Sequence, residues 1–139
     1  MSQPRRVIVH SLSHAQAAAA AAVAHDVAVV LQSAPAAAAN GGPAWWLHVI
    51  AEARAAQPRA KISDVLDCGP LPGMALAALR RGCKTLRLDA APAMRTRIAD
   101  IAAQCGARLD DAEEPALDLL GESDPLRACL LWLAPEGRF

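Results

Sequence analysis

Residues 61–91, KISDVLDCGPLPGMALAALRRGCKTLRLDAA, constrain the fold of this chain more than any other stretch, because they carry start and stop signals for three successive elements. Ile62, Val65 and Leu66 make a short apolar run that ends at Asp67-Cys68-Gly69, where a glycine and the prolines Pro70 and Pro72 interrupt regular structure. Pro72 suits the first turn of a helix, since its missing N–H would have no partner there and its fixed φ is already helical. Met74 to Arg81 follows with good helix formers. Arg80 and Arg81 place positive charge at the negative end of the helix dipole, and Gly82 stands where a left-handed residue would end the helix. Thr85 to Leu88 is a second strand, closed by Asp89. A strand, a crossover helix and a strand in roughly thirty residues predict two parallel strands joined by a right-handed crossover.

The same pattern recurs along the chain. Val7-Ile8-Val9 is an uninterrupted apolar run ending at His10-Ser11, Val27 to Leu31 is a second ending at Gln32-Ser33, and Ala107 to Leu109 is a brief one running into Asp110-Asp111. Between them lie helical patterns. Ser13 and Gln16 match a capping box opening a first helix that runs to about His25, with an alanine face from Ala17 to Ala22. A helix from Gly42-Pro43 to before Pro58 places Trp46, Val49, Ile50 and Ala53 at i, i+3, i+4 and i+7, so Trp46 is expected in the core and Trp45 outside it, in phase with His48 and Glu52. Pro92 opens a helix with the stripe Met94, Ile98, Ile101, Ala102 and Cys105, ended by Gly106. Asp124-Pro125 reads as an N-cap and first helical residue, followed by Leu126, Cys129, Leu130 and Leu133 and stopped by Pro135. Ala34 to Gly42 reads as a loop longer than the median of about 4–6 residues, and DDAEEP with Leu117 to Leu120 reads as an acidic stretch and an apolar turn.

Short strands without polar alternation, each followed by a helix, predict one α/β domain over residues 1–139 with a parallel sheet covered on both faces. The expected arrangement is a three-layer, doubly wound, five-stranded sheet in the flavodoxin-like order 2-1-3-4-5. The alternative is half of a (β/α)8 barrel that dimerises to close, because a complete barrel takes about 250 residues.

Composition narrows the partners. Lys plus Arg and Asp plus Glu number 14 each, so no one-sign field is available to draw nucleic acid or an anionic membrane. Of the 139 residues 34 are alanine, which makes the 54% hydrophobic fraction a tightly spaced core rather than a bulky one. No apolar run approaches the roughly 20 residues that span a bilayer, and MSQPRRVIVHS is too brief in its apolar part for a secretion signal. Cys68, Cys83, Cys105 and Cys129 form no C-x-x-C pair, so neither zinc spacing nor a disulfide framework is expected, and the chain reads as cytoplasmic with reduced thiols.

In either fold a ligand would sit at the carboxyl ends of the strands, and the polar residues fall there: His10, Ser11, Gln32, Ser33, Asp67, Cys68, Asp89, Asp110 and Asp111. Strands also turn polar simply because they reach solvent. No P-loop or G-x-G-x-x-G is present, and Met74 stands where a C-x5-R phosphatase loop starting at Cys68 would need arginine. His10 and His14 straddle a strand–helix junction, so metal-ligand spacing is not established. Asp67 ends the third strand, where receiver domains of two-component signalling carry a phosphorylated aspartate. Those domains have an acidic pair where this chain has His10-Ser11 and a lysine where it has Asp110-Asp111, so it is not assigned to that family.

No reaction and no cofactor can be named from these residues. The expectation is a module binding a small ligand or a protein partner at the strand ends, as a homodimer, with Ser11, Ser33, Trp45, Asp67 and Asp89 as ligand-binding candidates and residues 34–42 with Trp45 as the rim. The alternative is a small enzyme with His10 as acid or base and Asp67 and Asp89 orienting it or holding a divalent metal. In that reading Cys68 is a less favoured nucleophile, and the pairing of His10 with Asp67 requires the first and third strands to be neighbours.

Overall fold

The computed structural model describes residues 3–135. Its strands are β1 (Arg5–Val9), β2 (Val29–Ser33), β3 (Ile62–Asp67), β4 (Thr85–Arg87), β5 (Arg108–Leu109) and β6 (Ala116–Asp118). Its helices are α1 (Leu12–His25), α2 (Ala37–Asn40), α3 (Gly42–Ala56), α4 (Pro72–Arg80), α5 (Pro92–Gln104) and α6 (Pro125–Trp132). The strands form an all-parallel sheet in the order β5-β4-β3-β2-β1-β6.

The α/β class and the parallel sheet agree with the sequence reading; the strand order and number do not. The flavodoxin-like order needs the chain to reverse direction after its second strand. Here each strand from β1 to β5 is laid beside the one before, and only β6 goes to the other side of β1. A sequential run is also what a half barrel would have, but β6 lies outside any such sequence. The sixth strand sits in what reads as an apolar turn. With three residues, Ala116-Leu117-Asp118, it is too short to show a period, and no helix separates it from β5.

The strand–helix–strand unit stands as expected. β3 and β4 are parallel neighbours in the register Leu66↔Leu86 and Asp67↔Arg87. Pro72 opens α4, and Gly82 follows its end at φ 92°. Three local boundaries differ. Val27 lies in the turn that closes α1, just past the left-handed C-cap Asp26, and not in β2: its N–H donates to Ala22 O at 3.0 Å, leaving the strand to begin at Val29. Ala37–Asn40 forms a short helix inside the expected loop, with Ala37 and Ala38 buried. Ser11 is the N-cap of α1 in place of Ser13: its backbone is extended, and its Oγ accepts the His14 N–H at 3.2 Å. Ser11→Ala should therefore cost about 1 kcal/mol in a urea unfolding titration, whereas Ser13→Ala should cost a few tenths at most.

The contacts group into two compact units. The first comprises residues 3–32, 49–63 and 114–135. In it α1 packs on α6, and the small buried side chains Ala15, Ala18, Ala19, Ala21 and Ala22 permit close approach of the helix backbone. Trp132 closes α6 onto β1: its Nε1–H donates to Arg6 O at 3.0 Å, the Arg5 guanidinium lies 5.5 Å from its ring centroid, and Arg5 also donates to Trp132 O. The second unit comprises residues 33–48 and 64–113, where α4 packs with α5 and with α2, and Leu66, Leu86 and Ile98 are buried. Along α3, Trp46, Val49, Ile50 and Ala53 are all buried, while Trp45 is half-buried, as the spacing predicts. Among the described residues no helix is long and apolar enough to cross a membrane.

Candidate functional site

The polar strand ends form two clusters, one in each unit. In the second unit a cleft of ≈ 620 Å³ is lined by Asp67, Asp89, Arg87 and Arg95 together with Leu88, Asp110, Asp111 and Glu113. Asp67 and Asp89, selected from sequence as strand-end carboxylates, therefore line one cleft. β3 delivers Asp67, β4 and the turn after it deliver Arg87 and Asp89, and α5 delivers Arg95.

Asp67 holds the floor of this cleft together. Its Oδ1 accepts the N–H of Gly69 at 2.8 Å and of Ala36 at 3.2 Å, two residues whose backbones are left-handed at φ 57° and φ 56°. Side chains are disfavoured there, and the carboxylate helps fix both turns. At Gly69 even a methyl group would meet Ala36 Cβ at 2.9 Å, so the glycine is required by close approach as well as by φ. Ser33, fully buried, serves the same junction: its Oγ accepts the Asp67 N–H at 2.8 Å and donates to Ala34 O at 3.3 Å.

Both guanidiniums of the cleft are engaged. Arg87 donates to the buried Asp110 carboxylate at 2.8 Å and to Ala112 O at 2.7 Å, and Arg95 donates to Asp111 and to Leu88 O. The Asp89 N–H donates to Gly69 O at 2.8 Å, and among the described residues neither its carboxylate nor that of Glu113 has a partner. Five carboxylates against two guanidiniums leave the lining negative.

In the first unit the ends of β1 and β6 bring together His10, His14 and Asp118. His10 Nε2 lies 2.7 Å from Asp118 Oδ1, and the same oxygen accepts the Leu120 N–H at 2.9 Å. Partial burial pushes the Asp118 carboxyl up, but the Leu120 and His10 bonds outweigh it and hold the group below its ordinary value. The His10 N–H donates to His14 Nδ1 at 3.1 Å, and the two rings meet edge to face at 5.8 Å. Burial, then the neighbouring His10, lowers the His14 pKa, against a weaker pull from Asp118. An Nδ1 that accepts a bond cannot carry a proton, so His14 is neutral with its hydrogen on Nε2.

These shifts have one sign. Asp118 and His14 each bind a proton more readily in the unfolded chain, so stability rises with pH across both windows. The Asp118 contribution is present above the ordinary carboxylate pKa and lost as pH falls through its lowered one. The His14 contribution is complete above 6.5 and fades as pH falls from 6.5 toward its lowered value. Urea titrations should therefore show a smaller unfolding free energy at pH 5 than at pH 7.5, with a reduced difference in His14→Gln.

The remaining candidates are placed as follows. The Cys68 thiol is fully buried and pushed up to about 12 by burial, with Asp67 and Cys83 adding to it, so it stays a thiol at neutral pH. Ser11 is engaged as the α1 cap. The Trp45 ring covers Gly41, where an added Cβ would sit 2.7 Å from it, and Trp45 is not among the cleft residues. His10 finds its carboxylate in Asp118. The neighbour relation on which its pairing with Asp67 rested is absent, because β1 is flanked by β2 and β6. No cluster of three His, Cys, Asp or Glu able to hold a metal occurs among the described residues. Asp118 carries the same signal as Asp67 and Asp89, a carboxylate closing an apolar strand, but a three-residue strand has no period that would mark it in the sequence. No known family model matches the chain, and a search of curated proteins finds no matching relative.

Proposed function

We propose that this chain is a binding module that takes a small molecule bearing an amine or several hydroxyls in the cleft at the carboxyl ends of β3, β4 and β5. The observation that carries this reading is charge left unneutralised: the two guanidiniums of the lining are paired, while the Asp89 and Glu113 carboxylates have no partner among the described residues. Such a lining favours ammonium groups by Coulomb attraction and hydroxyl donors by hydrogen bonding. With no group of three His, Cys, Asp or Glu placed to hold a metal among the described residues, the lining suits an organic ligand better than a bare divalent ion. The module is read as cytoplasmic, in keeping with four unpaired cysteines. A thermal-shift screen with spermidine, amino sugars and polyols tests it. A ligand at 100 times its Kd should add about 2.7 kcal/mol, a shift of several degrees. No shift with any amine or polyol would count against the cleft as a binding site.

A homodimer is the second part of the reading. Three large leucines, Leu126 and Leu131 on α6 and Leu120 before it, are 43%, 70% and 69% exposed, and their cover by a second copy is the contact this reading requires. Sedimentation of a single monomeric species at micromolar concentration would exclude it.

A further inference from the structure

We propose that the homodimer, on which this inference rests, forms edge to edge: β6 of one copy pairs antiparallel with β6 of a second, and the two α6 helices meet over the join. β6 is an edge strand of the sheet, and an edge leaves backbone donors and acceptors open to another strand. The Leu119 N–H donates to Ile8 O at 3.1 Å, so alternation turns Leu117 toward β1 and turns the N–H and C=O of Ala116 and Asp118 outward. Those outward groups have no partner among the described residues. β5, the opposite edge, turns out Leu109 alone, because the N–H groups of Arg108 and Asp110 donate to Lys84 O and Leu86 O.

A groove of ≈ 480 Å³ opens beside β6. Its lining includes Leu117 of β6, then Glu122, and then Asp124, Arg127, Ala128 and Leu131, which share one face of α6 at i, i+3, i+4 and i+7. Leu131 is 70% exposed there, a large apolar side chain left in water. The groove also carries both signs of charge: neither the Glu122 carboxylate nor the Arg127 guanidinium has a partner among the described residues. Arg127 is out of place in a lone chain. It stands in the first turn of α6, where the helix dipole favours anions, and no acidic residue within that turn offsets it. The acidic cap, Asp124, bonds the Arg127 N–H and not its guanidinium. A surface that presents apolar area, a free strand edge and unpaired charges of both signs is complementary to itself, and a twofold axis brings its two copies together. With Leu117 opposite Leu117 of the second copy, Ala116 of each chain exchanges N–H···O=C bonds with Asp118 of the other. The axis is perpendicular to the sheet, so both α6 helices lie on one face. There Leu131 is covered, and Arg127 of each chain meets Glu122 of the other.

The test is the dimerisation constant of the full chain from sedimentation equilibrium, with native mass spectrometry of mixed variants. Ala116→Pro removes an outward N–H that the single chain does not use, and proline is tolerated at such edge positions. The loss of its bonds to the second copy should weaken the dimer about tenfold or more. Arg127→Glu puts an acid in the first turn of α6, which suits the helix of the single chain. Like charges then face each other across the axis, and the homodimer should weaken about tenfold. Glu122→Arg should do the same. Mixed, the two charge-reversed variants should form a heterodimer at near wild-type affinity, because each offers the charge the other lacks. A wild-type monomer at micromolar concentration would overturn this inference together with the homodimer reading. A wild-type dimer that Ala116→Pro leaves intact, or reversed variants whose mixture gives no heterodimer, would overturn the edge-to-edge join alone and leave a dimer through another surface. Should Ala116→Pro fold poorly, the charge-reversed mixture decides.

Discussion

Trp46→Ala is expected to cost about 4 kcal/mol of unfolding free energy, the largest effect of any single truncation in α3. Trp46 heads the fully buried side chains by volume, and removing a buried tryptophan costs about 3–5 kcal/mol through lost transfer energy and the cavity left behind. One atom works against it: the buried indole Nε1 has no hydrogen-bond partner among the described residues. An unsatisfied buried donor costs about 1–3 kcal/mol. Trp46→Phe removes that donor while keeping most of the ring, so its cost should fall below about 1.5 kcal/mol. Urea unfolding of the pair decides the matter. Equal destabilisation by Phe and Ala would show that indole shape, and not buried area, holds this position.

Arg6→Ala is expected to cost about 3 kcal/mol. The Arg6 side chain is 6% exposed and donates to Gln32 Oε1 at 2.8 Å and to Glu114 Oε1 at 3.0 and 3.2 Å. Glu114 is 30% exposed, so its charge is only partly solvated once the guanidinium is gone. Removing one partner of a buried pair costs about 3–5 kcal/mol, and the partial exposure of Glu114 places this case at the lower end. Arg6→Met with Glu114→Leu removes both charges and should recover most of the loss, because a buried pair is often no more stable than an apolar replacement. If the double variant were no more stable than Arg6→Ala, the pair would be a net source of stability.

Both sites show how far the sequence could be read. The burial of Trp46 follows from its phase with Val49, Ile50 and Ala53, a local regularity that helix geometry translates directly into a face. The start and stop of α4 follow equally from Pro72 and Gly82, and the cap of α6 from Asp124-Pro125, because these residues act on their own backbone. The partners of Arg6 are another matter: Glu114 is 108 positions away, and so is Asp118 from His10. Both pairings depend on β6 lying beside β1, a relation set by the packing of α6 on α1 and carrying no local signal in three residues of strand. The strand order was illegible for the same reason, since short apolar runs look alike wherever they are inserted. At the cleft, the polar ends of β3 and β4 were visible as Asp67 and Asp89. The pairing of Arg87 with Asp110, which decides the charge of the lining, required the register of β4 on β5.

That charge is what calorimetry can test most directly. The Asp89 side chain makes no bond among the described residues, whereas Asp67 holds two amides, so the two carboxylates separate binding from stability. With the amine or polyol that gives the largest thermal shift, Asp89→Asn should keep the wild-type melting temperature without ligand and weaken binding about tenfold or more. Asp67→Ala should lose about 2 kcal/mol of stability whether or not ligand is present. Unchanged affinity in Asp89→Asn would contradict the assignment of the cleft at the ends of β3, β4 and β5 as the binding site.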